Sequence, residues 1–303
     1  LGVLPLVIRE LLAAHPYQYL YGSLSADITL AKRYVHFSRH CHNWTIGYEI
    51  LDRATTPPLK AFALGYLSHL AADTIAHNVF VPRRLVATPY TRNVGHTYWE
   101  YRFDRAHDEQ YLRLAREVVM MDHAEPDALL EQVLTQAIFS FQVNKRIFQQ
   151  LIHLSNDERW HGLWVRMADK SRWELPEADV AQYGALSGAY VGDLLARGAA
   201  GAGYALDPTG RKRLALAKSL RRESFRTARR AAGREVALAP LAATRAGDAS
   251  RFLATRPVSS ADLERLAVEC FPEPAPPRSA DGLDTPVEAE AFWSEFSGGV
   301  AAR

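Results

Sequence analysis

Residues 55–80 read TTPPLKAFALGYLSHLAADTIAHNVF, and this stretch decides the fold class. Thr55-Thr56-Pro57-Pro58 is a helix start, because Pro suits the first turn, where its missing N–H has no intrahelical partner to lose. The residues that follow, 59–80, are long in run and rich in Ala and Leu, so the spacing predicts a helix there. Working outward, Leu4, Leu6, Val7, Leu11 and Leu12 recur at helical spacing, and residues 92–121 read as a helix pair. Glu125-Pro126-Asp127 opens a further helix, expected to continue through Phe139, Phe141, Ile147 and Leu151. Alternating β-branched runs are nearly absent. The chain is therefore expected to be all-α, a multi-helix bundle.

Composition bounds the rest. The chain has 303 residues, 48% hydrophobic and 23% charged, which excludes disordered, fibrous and small disulfide-stapled classes. With 36 Lys+Arg against 34 Asp+Glu, the net charge does not argue for a polyanion partner of the whole protein, although charge can be segregated locally. Two cysteines, Cys41 and Cys270, make no framework. Apolar runs of about 18 residues are missing, which argues against a transmembrane span. Residues 1–8 are apolar, lack a basic leader and begin without Met, so they are read as helix in a processed or truncated chain. Residues 181–205 are rich in small side chains, which suits close helix packing or a hinge. Residues 211–234, from Arg211, Lys212 and Arg213 to Arg234, carry ten basic side chains against Glu223 alone. After about residue 240 the sequence is rich in Ala, Pro, Arg and Asp. A mobile tail is expected there, with one short helix over residues 260–270 capped by Ser259 or Ser260.

The chemistry lies in the 11 His. His36, His40, His42, His69, His77, His96 and His107 fall between residues 36 and 107. His69, Asp73 and His77 are spaced i, i+4, i+8, and each step of four turns about 40° and advances about 6 Å, so all three share one helix face. His69 and His77 stand roughly 12 Å apart along the axis, too far for one ion, and the spacing predicts at least two metals with Asp73 between them. His96 and Glu100 form a second i, i+4 pair. A third contribution comes from residues 21–44, with Asp27 after a small-residue turn and His36, His40 and His42 ahead of Trp44. Such pairs are often only helix-stabilising ion pairs. Here, however, His69, Asp73 and His77 sit among Phe62, Leu64, Tyr66, Leu67 and Leu70, where polar groups without strong partners are costly. The convergence describes a multinuclear carboxylate and imidazole site. Cys41 is chemically able to ligate zinc, but the set is complete without it. His107, His123, His153 and His161 read as surface residues, and Trp44, Tyr66, Tyr98 and Trp99 as core more than cleft.

YLYGSLSADI (19–28), HCHNWTIGYEIL (40–51), AFALGYLSHLAADTIAHNVFVP (61–82) and GHTYWEYRFD (95–104) together resemble the bacterial zinc-dependent phospholipase C family, which includes the alpha-toxin catalytic domains. The resemblance covers roughly residues 10–110. It implies an all-α domain with a three-zinc site that hydrolyses phospholipid head-group phosphodiesters. By position, Asp27, a His of the 36–42 stretch, His69 and Asp73 would hold one zinc, and His77, His96 and Glu100 a second. His42 is the preferred loop ligand, with His40 close behind. The family's third zinc uses an N-terminal Trp and a nearby His, bridged through the equivalent of Asp73. Residues 1–10 offer neither, so two ions are expected, or three if a helix precedes. The implied organisation is a phospholipase C-like domain over 1–175, a small-residue-rich and basic helical arm over 176–240, and a tail over 241–303.

The implied activity is zinc-dependent hydrolysis by a metal-activated water, with Asp27 as candidate general base as well as ligand. The family implies export or a periplasmic place, although residues 1–8 carry no signal peptide. Two alternatives stand beside this reading: a zinc-dependent single-strand nuclease, with nucleic acid as substrate, and a non-catalytic helical module stabilised by metal. The basic stretch 211–234 could bring either kind of substrate, through peripheral contact with anionic lipid or with nucleic acid.

Overall fold

The computed structural model describes residues 4–28, 40–88, 95–134, 140–154, 173–231 and 259–277. Its regular elements are helices, and no strand occurs among the described residues, as the sequence leads one to expect. They are α1 (Leu6–Ala14), α2 (Pro16–Ser25), α3 (Trp44–Asp52), α4 (Pro57–Ile75), a π-helical turn (Ala76–Phe80), α5 (Val81–Ala87), α6 (Gly95–Arg105), α7 (Glu109–Met120) and α8 (Ala124–Val133). After these come α9 (Phe141–Leu154), α10 (Glu177–Arg197), two 3-10 turns (Gly198–Ala200 and Ala202–Ala205), α11 (Arg211–Ala231) and α12 (Ser260–Cys270). No helix of the described residues is long and apolar enough to cross a membrane.

Helix α4 is the axis of the molecule. Thr56 caps it by accepting from Leu59 N–H, and Pro57 and Pro58 occupy its first turn. Apolar on nearly every side, it can only be stable when surrounded, and α2, α3 and α10 pack on it. The approach of α2 is very close. A Cβ on Gly22 would lie 2.0 Å from the Phe62 carbonyl oxygen, and one on Gly65 would lie 1.9 Å from that of Tyr19. Only glycine at both positions permits this crossing.

Among the described residues three apolar clusters touch α4 or its continuation, a small one formed by Ile8, Leu12, Ala61, Leu64 and Leu195 and two larger cores that meet along it. Tyr21, Trp44, Tyr48, Phe62, Tyr66, Leu67 and Leu70 belong to the first of the larger cores, which also takes Leu129 and Leu130 from α8. Ile75, Val79, Phe80, Val81 and Leu85 open the second, which takes Trp99 from α6, Tyr190 from α10, Leu220 from α11 and Phe271 after α12. The run 59–80 is therefore not one α-helix but α4 followed by a π-turn. Pro82, in the first turn of α5, has no N–H to give and its ring crowds the preceding turn, so the backbone rewinds upstream of it.

Several sequence expectations need correction. The helix expected to run unbroken from Glu125 through Leu151 stops at Val133 and resumes at Phe141, while Phe139 lies outside the described residues. Most of residues 181–205 form a continuous α10 that packs on α4; no described atom lies within 4 Å of where a Cβ on Gly184, Gly188 or Gly192 would be, whereas one on Gly201 would stand 3.0 Å from Asp193 and one on Gly203 3.3 Å from Tyr190, so the close packing lies at the end of the stretch. Within the expected tail, residues 259–277 are docked. Ser259 and Asp262 form a capping box, Leu263, Leu266, Ala267 and Phe271 are buried, and Arg83 bonds the Phe271 carbonyl and the Glu273 carboxylate. Helix α11 buries Leu214, Ala217 and Leu220 toward the second core and turns Arg211, Lys212, Arg213, Lys218 and Arg222 outward. Arg234 lies outside the described residues, as does His36. His123 is not on the surface: it is buried, stacked on Tyr21 at 3.5 Å, with its Nε2–H donating to the Val118 carbonyl.

Candidate metal centre

Four segments bring polar side chains to the seam between the two cores. Asp27 stands in the turn that ends α2, where Asp27 N–H bonds the Leu24 carbonyl. His42 lies in the turn before α3. Asn43 caps that helix, Tyr66 Oη–H from α4 donates to the Cys41 carbonyl at 2.6 Å, and His42 N–H donates to His40 Nδ1 at 3.1 Å. His69 and Asp73 come from α4, His77 from the π-turn, and His96 and Glu100 from the first turns of α6.

The first cluster joins Asp27, His42, His69 and Asp73. His42 Nε2 is 3.1 Å from His69 Nε2, 3.2 Å from Asp27 Oδ1 and 3.2 Å from Asp73 Oδ2, and His69 Nε2 is 3.3 Å from Asp73 Oδ2. Tetrahedral ligands at zinc distances lie about 3.3 Å from one another, so the spacing fits an ion. His69 Nδ1–H donates to the Ser23 carbonyl at 2.8 Å, which leaves the lone pair on Nε2, facing the cluster. Asp73 Oδ2 is buried, lies close to ring nitrogens of His42, His69 and His77, and yet makes no hydrogen bond of good geometry. An acceptor surrounded in this way suits a cation better than any one donor. The donor set of imidazole and carboxylate is also one that zinc takes.

The second cluster joins His77, His96 and Glu100. Glu100 Oε1 is 3.0 Å from His77 Nε2 and 2.8 Å from His96 Nε2, and His77 Nδ1–H donates to the Pro208 carbonyl at 2.6 Å. Asp73 links the clusters through His77, 3.7 Å away. Electrostatics follow the geometry. Burial alone would raise Asp73, but His69 and His77, helped by His42, outweigh it and hold the carboxyl well below the usual carboxylate range. For His77, burial would lower the ring, and Asp73 with Glu100 instead raise it to about 9. Glu100 is disfavoured by burial but drawn down to about 2 by His77 and His96.

The structure brings His42, not His40, to Asp27, His69 and Asp73. His40 turns its Nδ1 to the backbone, although His40, Cys41 and His42 also lie near enough to form a metal-capable group of their own. Trp44, Tyr66, Tyr98 and Trp99 are buried core side chains.

Both clusters open on one cavity of about 620 Å³. Asp27, His42, His69, Asp73, His77 and Glu100 lie on its polar side, and Phe80, Tyr101, Phe103, Phe148 and Tyr183 form much of its apolar wall. Asp104 faces this cavity too and was missed in the sequence. It stands one helical turn beyond Glu100, so continuing the i, i+4 ladder from His96 would have found it. Its carboxyl is open to the cavity yet enclosed by the walls, and burial, then Glu100 and Asp27, push it up to about 6.

Helices that gather imidazole and carboxylate groups into two adjoining clusters beside one cavity define an all-α protein with a candidate multinuclear metal centre. Residues 2–146 match the family described as zinc dependent phospholipase C. The match extends beyond the motif-bearing stretch 10–110 on both sides. No curated protein and no solved structure matches the chain.

Proposed function

We propose that this chain is a zinc-dependent phosphodiester hydrolase acting on phospholipid head groups. The observation that supports it best is the pairing of two ligand clusters with an apolar wall in a single cavity. Asp27, His42, His69 and Asp73 would hold one ion, and His77, His96 and Glu100 another. Bound zinc supplies Lewis acidity, neutralising phosphoryl charge and making water acidic enough to react near neutral pH.

The chain's own groups do the rest. Asp27 is the most open of the ligands, with its side chain 52% exposed against 6% for His42 and 15% for Asp73. Its carboxylate is the proposed general base, accepting the proton of the attacking water. Ser23 and Pro208 carbonyls hold the protons of His69 and His77 on Nδ1, so that both rings present Nε2. Phe80, Phe103 and Phe148 give the glyceryl and acyl portion next to the scissile bond an apolar surface and keep bulk water from that side.

The test uses purified protein loaded with zinc. Expected is bound zinc by elemental analysis, hydrolysis of short-chain phosphatidylcholine, loss of both with a strong chelator, and recovery with zinc. Protein that retains no transition metal, or that cleaves single-stranded DNA and leaves the lipid intact, would sink the proposal.

A further inference from the structure

Residues 206–210, between the 3-10 turn Ala202–Ala205 and α11, lie well past the end of the family match at residue 146. They nevertheless meet the metal-bearing segments through three consecutive carbonyls. Trp44 Nε1–H donates to Leu206 at 2.8 Å, Asn78 Nδ2–H to Asp207 at 2.8 Å, and His77 Nδ1–H to Pro208 at 2.6 Å. Trp44 follows His42 by two residues, and Asn78 is adjacent to His77, so each bond is anchored beside a proposed ligand.

The loop holds its own shape. Asp207 Oδ1 accepts from Thr209 N–H at 3.0 Å and from Thr209 Oγ–H at 2.7 Å, and Oδ2 accepts from Arg211 N–H at 3.2 Å, which caps α11. Gly210 has φ +54, and a Cβ there would stand 2.2 Å from the His77 carbonyl oxygen and 2.5 Å from the His77 Cβ. The loop backbone therefore rests directly on His77. An imidazole has two nitrogens, and whichever keeps the proton cannot ligate. A carbonyl fixed at one nitrogen selects the other for the metal. For His69 the Ser23 carbonyl of α2 does this, from within the matched segment; for His77 the carbonyl comes from the chain beyond it.

We infer that residues 206–210 are a positioning element of the second cluster, setting the tautomer and rotation of His77 so that Nε2 meets His96 and Glu100. The inference rests on the proposed ligand role of His77, His96 and Glu100. It makes the described stretch 173–231 part of the metal site, with Asn78 and Gly210 its positioning residues.

The experiment uses the full chain, with zinc affinity measured by competition with a chromophoric chelator and the His77 tautomer read from long-range 15N–1H NMR of 15N-histidine protein. Gly210→Ala and Asn78→Leu are expected to weaken one ion 10- to 100-fold, the usual effect of losing an outer partner, while the ion at Asp27, His42, His69 and Asp73 keeps its affinity. Both variants are also expected to lose the Nδ1–H signature of His77. Should Gly210→Ala fail to fold, Asn78→Leu decides alone. Wild-type affinity for every ion in a folded variant, with the tautomer unchanged, overturns the inference. His96→Ala separates the two readings: if it holds as much zinc as wild type, the ligand assignment itself falls, and the inference with it.

Discussion

Replacing Gly65 with alanine sets two effects of opposite sign against each other. In a helix interior the change is favourable by about 1 kcal/mol, because Gly has the greater backbone entropy to lose. At this position the new methyl would lie 1.9 Å from the Tyr19 carbonyl oxygen, where 3.4 Å is an ordinary contact. Helices α2 and α4 must therefore part by about 1.5 Å, since neither neighbour is a side chain that can rotate away. Two bonds span this crossing: Tyr19 Oη–H to Ser68 Oγ at 3.1 Å, and His69 Nδ1–H to the Ser23 carbonyl at 2.8 Å. Parting by that amount breaks both and strands buried polar groups at about 1–3 kcal/mol each. The net expectation is a loss of about 1–5 kcal/mol, read from urea unfolding followed by far-UV circular dichroism in the presence of chelator. Gly188→Ala on α10 is the control. Nothing described lies near that position, so it should gain up to about 1 kcal/mol. If Gly65→Ala unfolds at the same urea concentration as wild type or higher, the close crossing does not have the role assigned to it.

Three further outcomes are expected. In metal-free protein the raised His77 stabilises the fold fully below its ordinary 6.5, and that contribution, about 3 kcal/mol, is lost as pH rises through about 9. The lowered Glu100 contributes above the usual carboxylate range and is lost as pH falls toward about 2, so chelated protein should be most stable near pH 5–6 by thermal melting; a stability still rising from pH 7 to 10 would contradict this. Zinc uptake at pH 7.5 should release about one proton from His77, visible as a buffer-dependent heat in calorimetry. Lys145→Met should cost about 3–5 kcal/mol by urea unfolding, because Asp127 is left buried with only the Tyr21 hydroxyl at 2.5 Å; a double variant that also carries Asp127→Asn should recover much of it.

What could be read from the residues was whatever depends on short spacing. His69, Asp73 and His77 share a face because helix geometry puts them there, and the same logic placed His96 beside Glu100. Which residues of separate segments meet was legible only as a set: the turn at 40–43 offers two imidazoles, and tertiary contacts from Tyr66 and the Asn43 cap turn His42 rather than His40 inward. The Pro208 carbonyl had no signal at all, since every residue carries the same group and the partner lies 131 positions away. The π-turn could have been suspected from Pro82, whose effect falls upstream of itself. His123 misleads because charged neighbours mark a surface by composition, while its ring is held under Tyr21.

The seam between the two cores has a mechanical meaning. Asp27, His42 and His69 ride with one core, and His77, His96 and Glu100 with the other. Their separation is set by the backbone that runs from α4 through the π-turn, with Asp73 between the clusters, together with α10 and residues 206–210, which touch both cores. Any sliding of one half of the molecule against the other changes that gap first. The gauge of the site is the winding of those few residues, and a substitution at Pro82, buried in the first turn of α5, is expected to change it.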